Sequence, residues 1–300
     1  MSTPLGPEVE FLNSCISGNV DKVKELLQNT EIDVNHPETA FYVVCFKGHT
    51  EVAKLLLNDN RVDINKAEKQ YLRTPFYIAC CQGHIDIVKL LVNDKRIDVN
   101  QANKFGQTPL YVACDNGHIE IVKLLLKDEK VNRNSINEPI GWTPCYIACY
   151  LGHTEVVKLL LNDKQVDFNK ASNSGETPFW TVCQNGHIEI MKSMVNDERV
   201  DINKADEDGE TPLMIACWNG HIEIVKYLFA SGREIILPLK NKYKSITRKL
   251  KKDLKTETIK LLESFENNPN DTRIKLRIEL GFAGNDYDLL ILFFFHFFFQ

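Results

Sequence analysis

The sequence predicts an all-α solenoid, a stack of helix-turn-helix units joined by short β-hairpin tips, and three periodic features carry that expectation. Gly-His recurs six times, from Gly48–His49 to Gly220–His221, at steps of 34 or 35 residues. A threonine stands nine residues before each of these glycines, and proline follows it in five of the six copies. A lysine stands six residues after each glycine, with an acid three residues ahead of the lysine.

Each part of the unit has a physical reading. Threonine before proline, as in Thr74–Pro75 or Thr211–Pro212, is an N-cap followed by the first helical position. There the hydroxyl accepts an orphan backbone N–H, and proline has none to lose. The glycine nine residues later permits the left-handed conformation that ends a helix. A second helix follows, as in GHIEIVKLLLKD, with apolar residues three and four apart and an acid placed to pair with the lysine, Glu120 with Lys123 for example. Asp-Ile/Val-Asn and a polar, often glycine-bearing tip such as NKFGQ or DEDGE then lead to the next threonine.

These motifs in this order resemble the ankyrin repeat, whose period is about 33 residues and whose first helix opens T-P-L-H-x-A. Where that pattern has histidine, this chain has Tyr42, Tyr77, Tyr111, Tyr146, Trp180 and Met214, so the hydrogen bond of that imidazole must be replaced or lost. The same register divides the chain. Residues 1–8 lead in, and 9–231 hold seven repeats, the first (9–28) starting without Thr-Pro. Residues 232–266 read as a degenerate eighth repeat acting as a cap, 267–281 as a closing helix and 282–300 as an apolar tail. The link at 36–39 (HPET) is too short for a full tip, and atypical end repeats suit a stack whose last faces have no neighbour.

The chain carries a formal net charge of −5, unevenly spread. Residues 240–255 hold eight basic side chains against Asp253, which is +7, so the remainder sums to −12. A nucleic-acid or nuclear-import contact is therefore an alternative only for that short helix. The N-terminus has no basic and apolar signal pattern, and nine cysteines fit reduced thiols in the cytosol or nucleus. The run Leu289–Phe299 is shorter than the roughly 20 apolar residues that span a bilayer, so membrane contact is expected nowhere but in this tail.

Two ladders look chemical and read as structural. The Gly-His imidazoles lie one repeat apart, roughly 8–10 Å, and cannot converge on one zinc ion. Each is expected to order the turn between its own two helices. Cys15, Cys45, Cys80, Cys114, Cys149, Cys183 and Cys217, each three residues before its glycine, read as small core residues, with Cys81 and Cys145 outside the ladder. Asn35, Asn65, Asn100, Asn169 and Asn203 share the same periodicity and the same structural reading. No Walker loop or GxGxxG is present, no catalytic residue stands out and no cofactor or metal is expected.

Function is then expected where copies of the repeat differ. Two such rows exist, the tips and the last residues of each first helix, and the resemblance implies that both line a concave face that docks another protein. Phe46, Tyr71, Phe105, Trp142, Tyr150, Leu151 and Trp218 would anchor a protein partner, and Glu176, Asp208 and Glu210 would steer a basic segment of it. Any of these aromatics could instead pack on a neighbouring tip. The expectation is a monomeric adaptor, scaffold or occluding inhibitor without enzymatic activity.

Overall fold

The computed structural model describes residues 6–35, 40–238, 243–247 and 252–282, which form two compact units split after Asp167. In the first unit the first helices are α1 (Pro7–Ser17), α3 (Ala40–Lys47), α5 (Pro75–Gln82), α7 (Pro109–Asp115) and α9 (Pro144–Leu151), each packed on the next. The second helices form a parallel row: α2 (Val20–Leu27), α4 (Thr50–Leu57), α6 (Ile85–Val92), α8 (Ile119–Leu125) and α10 (Thr154–Asn162). Helix α1 begins at Pro7, ahead of the expected residue 9, because Gly6–Pro7 supplies the proline that opens a helix without a hydroxyl cap.

The second unit repeats the arrangement. Helices α11 (Pro178–Asn185), α13 (Pro212–Asn219) and the short α15 (Tyr243–Ile246) stack in one row, and α12 (Ile188–Val195), α14 (Ile222–Ala230) and α16 (Lys252–Asn267) in the other. Helix α17 (Pro269–Glu279) folds back onto α14 and α16. Phe265 of α16 stacks on Phe229 of α14 with ring centroids 4.0 Å apart, and Lys226 of α14 pairs with Glu223, Glu257 and Glu279, tying the three helices together.

The Thr-Pro starts behave as expected. Thr74, Thr108, Thr143, Thr177 and Thr211 each accept the backbone N–H three residues on, at 3.0–3.3 Å. The tips differ from expectation: among the described residues no β-strand forms, and each tip is a turn. Two backbone bonds close it, as from Asn103 N–H to Gln107 O and from Gly106 N–H to Asn103 O (both 3.0 Å), and one bond steps to the neighbouring tip, as from Lys104 N–H to Tyr71 O (2.9 Å). So few rungs make a turn rather than a ladder.

Polar side chains bind one repeat to the next. The imidazole of His49 donates from Nε2 to Ile16 O, and those of His84, His118, His153 and His221 to Phe46, Cys81, Asp115 and Gln184 O, at 2.9–3.0 Å. This corrects the expectation that each ring serves its own turn. That turn is already closed by backbone bonds, such as His84 N–H to Ala79 O. The carbonyls left over at the end of the preceding first helix are the unsatisfied ones. The ring reaches them by lying on the preceding glycine: a Cβ on Gly186 would sit 2.5 Å from His221 Cε1. The asparagines bridge in the opposite direction, to the repeat that follows. Asn35 Nδ2 donates to Arg61 O, and its Oδ1 accepts from Asp63 N–H, with equivalent pairs at Asn100, Asn134, Asn169 and Asn203. Asn134 belongs to this set although its motif, Val-Asn-Arg-Asn, hid it.

The residues standing in for the expected T-P-L histidine are bonded too. Tyr77 Oη takes an N–H from Asn103, Tyr111 Oη one from Asn137, and Trp180 donates Nε1–H to Glu210 O, each partner lying in the next tip. The first residue of every tip, Glu68, Asn103, Asn137, Ser172 and Asp206, accepts backbone N–H groups of its own turn. Of the acid–lysine pairs in the second helices, those of Lys54, Lys89, Lys158, Lys192 and Lys226 close at 2.6–3.5 Å. The expected pair Glu120–Lys123 does not. An exposed pair gains only a few tenths of a kcal/mol, and Lys123 instead borders a cavity of about 430 Å³ beside Arg133.

Arg133 occupies a core position held elsewhere by Ile64, Val99, Phe168 and Ile202, and is as buried as they are. The cause lies at the second-helix C-termini, where a carbonyl nine residues after each glycine needs a donor. Arg61 supplies it to Leu27, Arg96 to Leu57 and Arg233 to Val195, each from the following repeat. For Leu126 the corresponding residue is Gln165, and Arg133 serves instead, bonding Leu126 O, Asp128 O, Val131 O and the Asp163 carboxylate. At Phe229 the donor is Arg273, from α17.

Two measurements check these couplings. Gly186→Ala should cost roughly 2 kcal/mol or more in urea unfolding, through its φ of +78° and the clash with the ring. Its cost should fall by about 1 kcal/mol in a His221→Ala background, a sub-additive double-mutant cycle. Arg133→Leu should lose about 3 kcal/mol by stranding Asp163 and the Leu126 carbonyl, and adding Gln165→Arg should restore most of it.

Candidate functional site

Tips and first-helix ends in the first unit present two aromatic clusters. In one, Tyr71 and Phe105 lie on successive tips with centroids 6.2 Å apart. The ammonium of Lys104 stands 4.1 Å from the Tyr71 ring and 5.1 Å from the Phe105 ring, and Arg73 lies 4.7 Å from Tyr71 and 5.9 Å from Tyr42. Phe105 is exposed and Tyr71 half-buried. In the other cluster Trp142 is half-buried, stacked on Tyr146 at 4.8 Å and tilted against Tyr150 at 5.0 Å. Trp142 is thus partly a packing residue, whereas Tyr150 and Leu151 beside it are exposed, as is Phe46.

Electrostatics beneath the first cluster centre on Glu68. Burial would raise its carboxyl, but the Gln70 N–H, the Arg73 guanidinium and the Arg73 and Tyr71 N–H groups outweigh burial and hold it below the usual carboxylate range. Burial pushes the Tyr42 phenol up to about 12 despite Arg73. At the end of α7, Asp115 moves the other way from Glu68, raised by burial that the nearby His153 only partly offsets.

In the second unit a cavity of about 510 Å³ brings together Glu176, Asp208, Glu210 and Trp218, four of the residues singled out in the sequence. It adds Trp180, Gln184, Asp206, Ile215 and Asn219. Asp206 was readable as the polar residue that opens a tip, and its carboxylate accepts the N–H groups of Asp208 and Glu210. Trp180 was readable only as a repeat position. The wall carries four carboxylates and no basic side chain.

The cysteine and histidine ladders carry no convergent chemistry. All nine thiols are free, and every cysteine but Cys81 is buried. Burial pushes the thiols of Cys15 and Cys217 up to about 12, which keeps them protonated and poorly nucleophilic. The half-buried Cys81 is raised as well, chiefly by burial. Among the described residues no three His, Cys, Asp or Glu side chains converge as a metal site, and no helix is long and apolar enough to cross a membrane. Residues 240–242 and 248–251 of the basic stretch lie outside the described residues, as do the link at 36–39 and the apolar tail beyond Phe282.

Comparison with protein families gives a match to ankyrin repeats in three copies, over residues 11–103, 95–172 and 164–237. These repeats are a binding module without catalytic machinery of their own. No curated protein matches the chain.

The buried acid fixes a pH dependence. Because the folded pKa of Glu68 is depressed, its contribution to stability is complete above the unfolded glutamate pKa, about 4.3, and is lost as pH falls through the lower folded value. Asp59, Asp94 and Asp197, depressed chiefly by hydrogen bonds from Arg61, Arg96 and Arg199, add to the same slope. Melting temperature should therefore fall as pH drops below about 4, and Glu68→Gln should lower it at neutral pH while flattening that fall.

Proposed function

This chain belongs to the ankyrin-repeat family, whose repeats are protein-interaction modules, and on that premise we propose that it recognises another protein with its tips and first-helix ends, as an adaptor, a scaffold or an occluding inhibitor. The surface that takes the partner is made of side chains that vary between copies: Phe46, Tyr71, Phe105, Trp142, Tyr150 and Leu151 in the first unit, and Trp218 with Glu176, Asp208 and Glu210 in the second. The eighth repeat, 232–266, and the closing helix act as a cap and leave binding to the repeats before them.

One observation carries this reading. The recurring threonines, histidines and asparagines are engaged in helix caps and repeat-to-repeat bonds, and among the described residues no buried side-chain nitrogen or oxygen lacks a partner. The residues that vary instead leave large apolar side chains in water at Phe46, Phe105, Tyr150 and Leu151. Exposed aromatics on a rigid frame are the usual anchors of an interface.

Cross-linking capture of partners, followed by titration with purified partner, tests the proposal. Tyr150→Ala with Leu151→Ala should weaken binding about tenfold or more and leave the melting temperature nearly unchanged, since both side chains are exposed. Trp142→Ala should lower both, because its ring packs on Tyr146 and Tyr150. Undiminished binding by both variants would remove this surface from the interface.

A further inference from the structure

Four of the five described tips place glycine two residues before their threonine, at Gly106, Gly141, Gly175 and Gly209, all with positive φ. The tip at 68–73 places Leu72 there, at φ 56°, and among the described residues no other residue with a side chain adopts that region. Its backbone bond is the same as in the glycine-bearing tip of equal length: Leu72 N–H to Glu68 O, as Gly141 N–H to Asn137 O. A leucine in this conformation is strained where glycine is not. Packing does not compensate, because Leu72 is 51% exposed. Strain without a packing return, at one tip of five, points to a contact made with something else.

The surroundings say what that contact is. Tyr71, next to Leu72 in the chain, lies against Phe105 of the adjoining tip, and the bond from Lys104 N–H to Tyr71 O joins the two tips, so these apolar side chains are presented on a fixed backbone before anything binds. Lys104 and Arg73 lie over the rings, and Lys69 on the same tip is exposed. The one carboxylate of that tip, Glu68, is buried beneath it and occupied by Arg73 and three backbone N–H groups. The knuckle therefore faces outward as apolar surface edged with positive charge.

We infer that Tyr71, Leu72 and Phe105 form the docking point for a partner segment that places an apolar side chain next to carboxylates, with Lys104 and Arg73 reading the acids. This rests on the proposal that the tips bind protein and assigns one part of that surface a specific ligand chemistry. It differs from the acidic cavity of the second unit, which suits the opposite charge.

The test is a selection from a random peptide display library on the full chain, followed by affinity and melting measurements on Leu72→Gly and Lys104→Glu. The expected peptides pair Leu, Ile or Phe with Asp or Glu and bind less tightly as salt rises. Leu72→Gly should weaken them roughly tenfold or more while raising the melting temperature, since it removes the strain along with the anchor. Lys104→Glu should weaken them without unfolding the chain. If Leu72→Gly binds as well as the unaltered chain, or melts lower, the knuckle is only part of the scaffold and the inference is overturned. Peptides that ignore Leu72 but depend on Tyr150 and Leu151 would overturn it while sparing the broader proposal. A selection that enriches no peptide would count against both.

Discussion

The structure depends on a carbon absent from one position. At the ends of α1, α3, α5, α7 and α11 the glycine has no Cβ, and that vacancy is where the next repeat's imidazole rests to bond the carbonyl two residues upstream. Helix termination and stacking are therefore one constraint. The left-handed turn needs glycine for its backbone, and the neighbouring ring needs it for space, so neither requirement can be relaxed alone. Cysteine at the facing core position follows from the same closeness: a small, soft side chain fits between first helices in contact along the row.

Much of this was legible in the sequence because one motif repeated in register. Thr-Pro announced the helix starts, and Gly-His fixed the period. What the sequence concealed were interactions between copies rather than within them. Nothing local reveals that His84 bonds to Phe46 or that Asn35 bridges to Arg61, because the partner is a backbone atom whose position depends on the stack. The tips read as hairpins because glycine among polar residues suits either a turn or a ladder, and only the count of backbone bonds separates them. Leu72 was readable and passed over. Counted back from each threonine it shares its position with four glycines, but tips of unequal length obscured the alignment.

The candidate surface was legible in part. Variation between copies located Phe105, Tyr150 and Leu151, which are exposed, and Glu176, Asp208 and Glu210, which border one cavity. It could not tell an exposed aromatic from one leaning on its neighbours, hence Trp142 serves packing as well as surface. The polarity of the tips also differs between the units. The first sets lysine and arginine over aromatic rings, and the second gathers carboxylates around indoles. A partner engaging both would need to be amphoteric along its own length.

The exchange between Arg133 and Gln165 has a bearing on how such an array can change. Near-identical tandem copies invite misaligned recombination, which deletes or duplicates whole units. Where the following unit carries the arginine, as with Arg61 and Arg96, the products would fit, because that unit brings the guanidinium its predecessor's carbonyl needs. Across this junction they would not. A crossover that joined the Arg133 unit to one carrying arginine at the position of Gln165 would bring two guanidiniums to one carbonyl, and one that removed Arg133 but kept Gln165 would leave that carbonyl bare. The middle of the array is thereby welded into a pair that must be inherited together, while its flanks remain free to be copied.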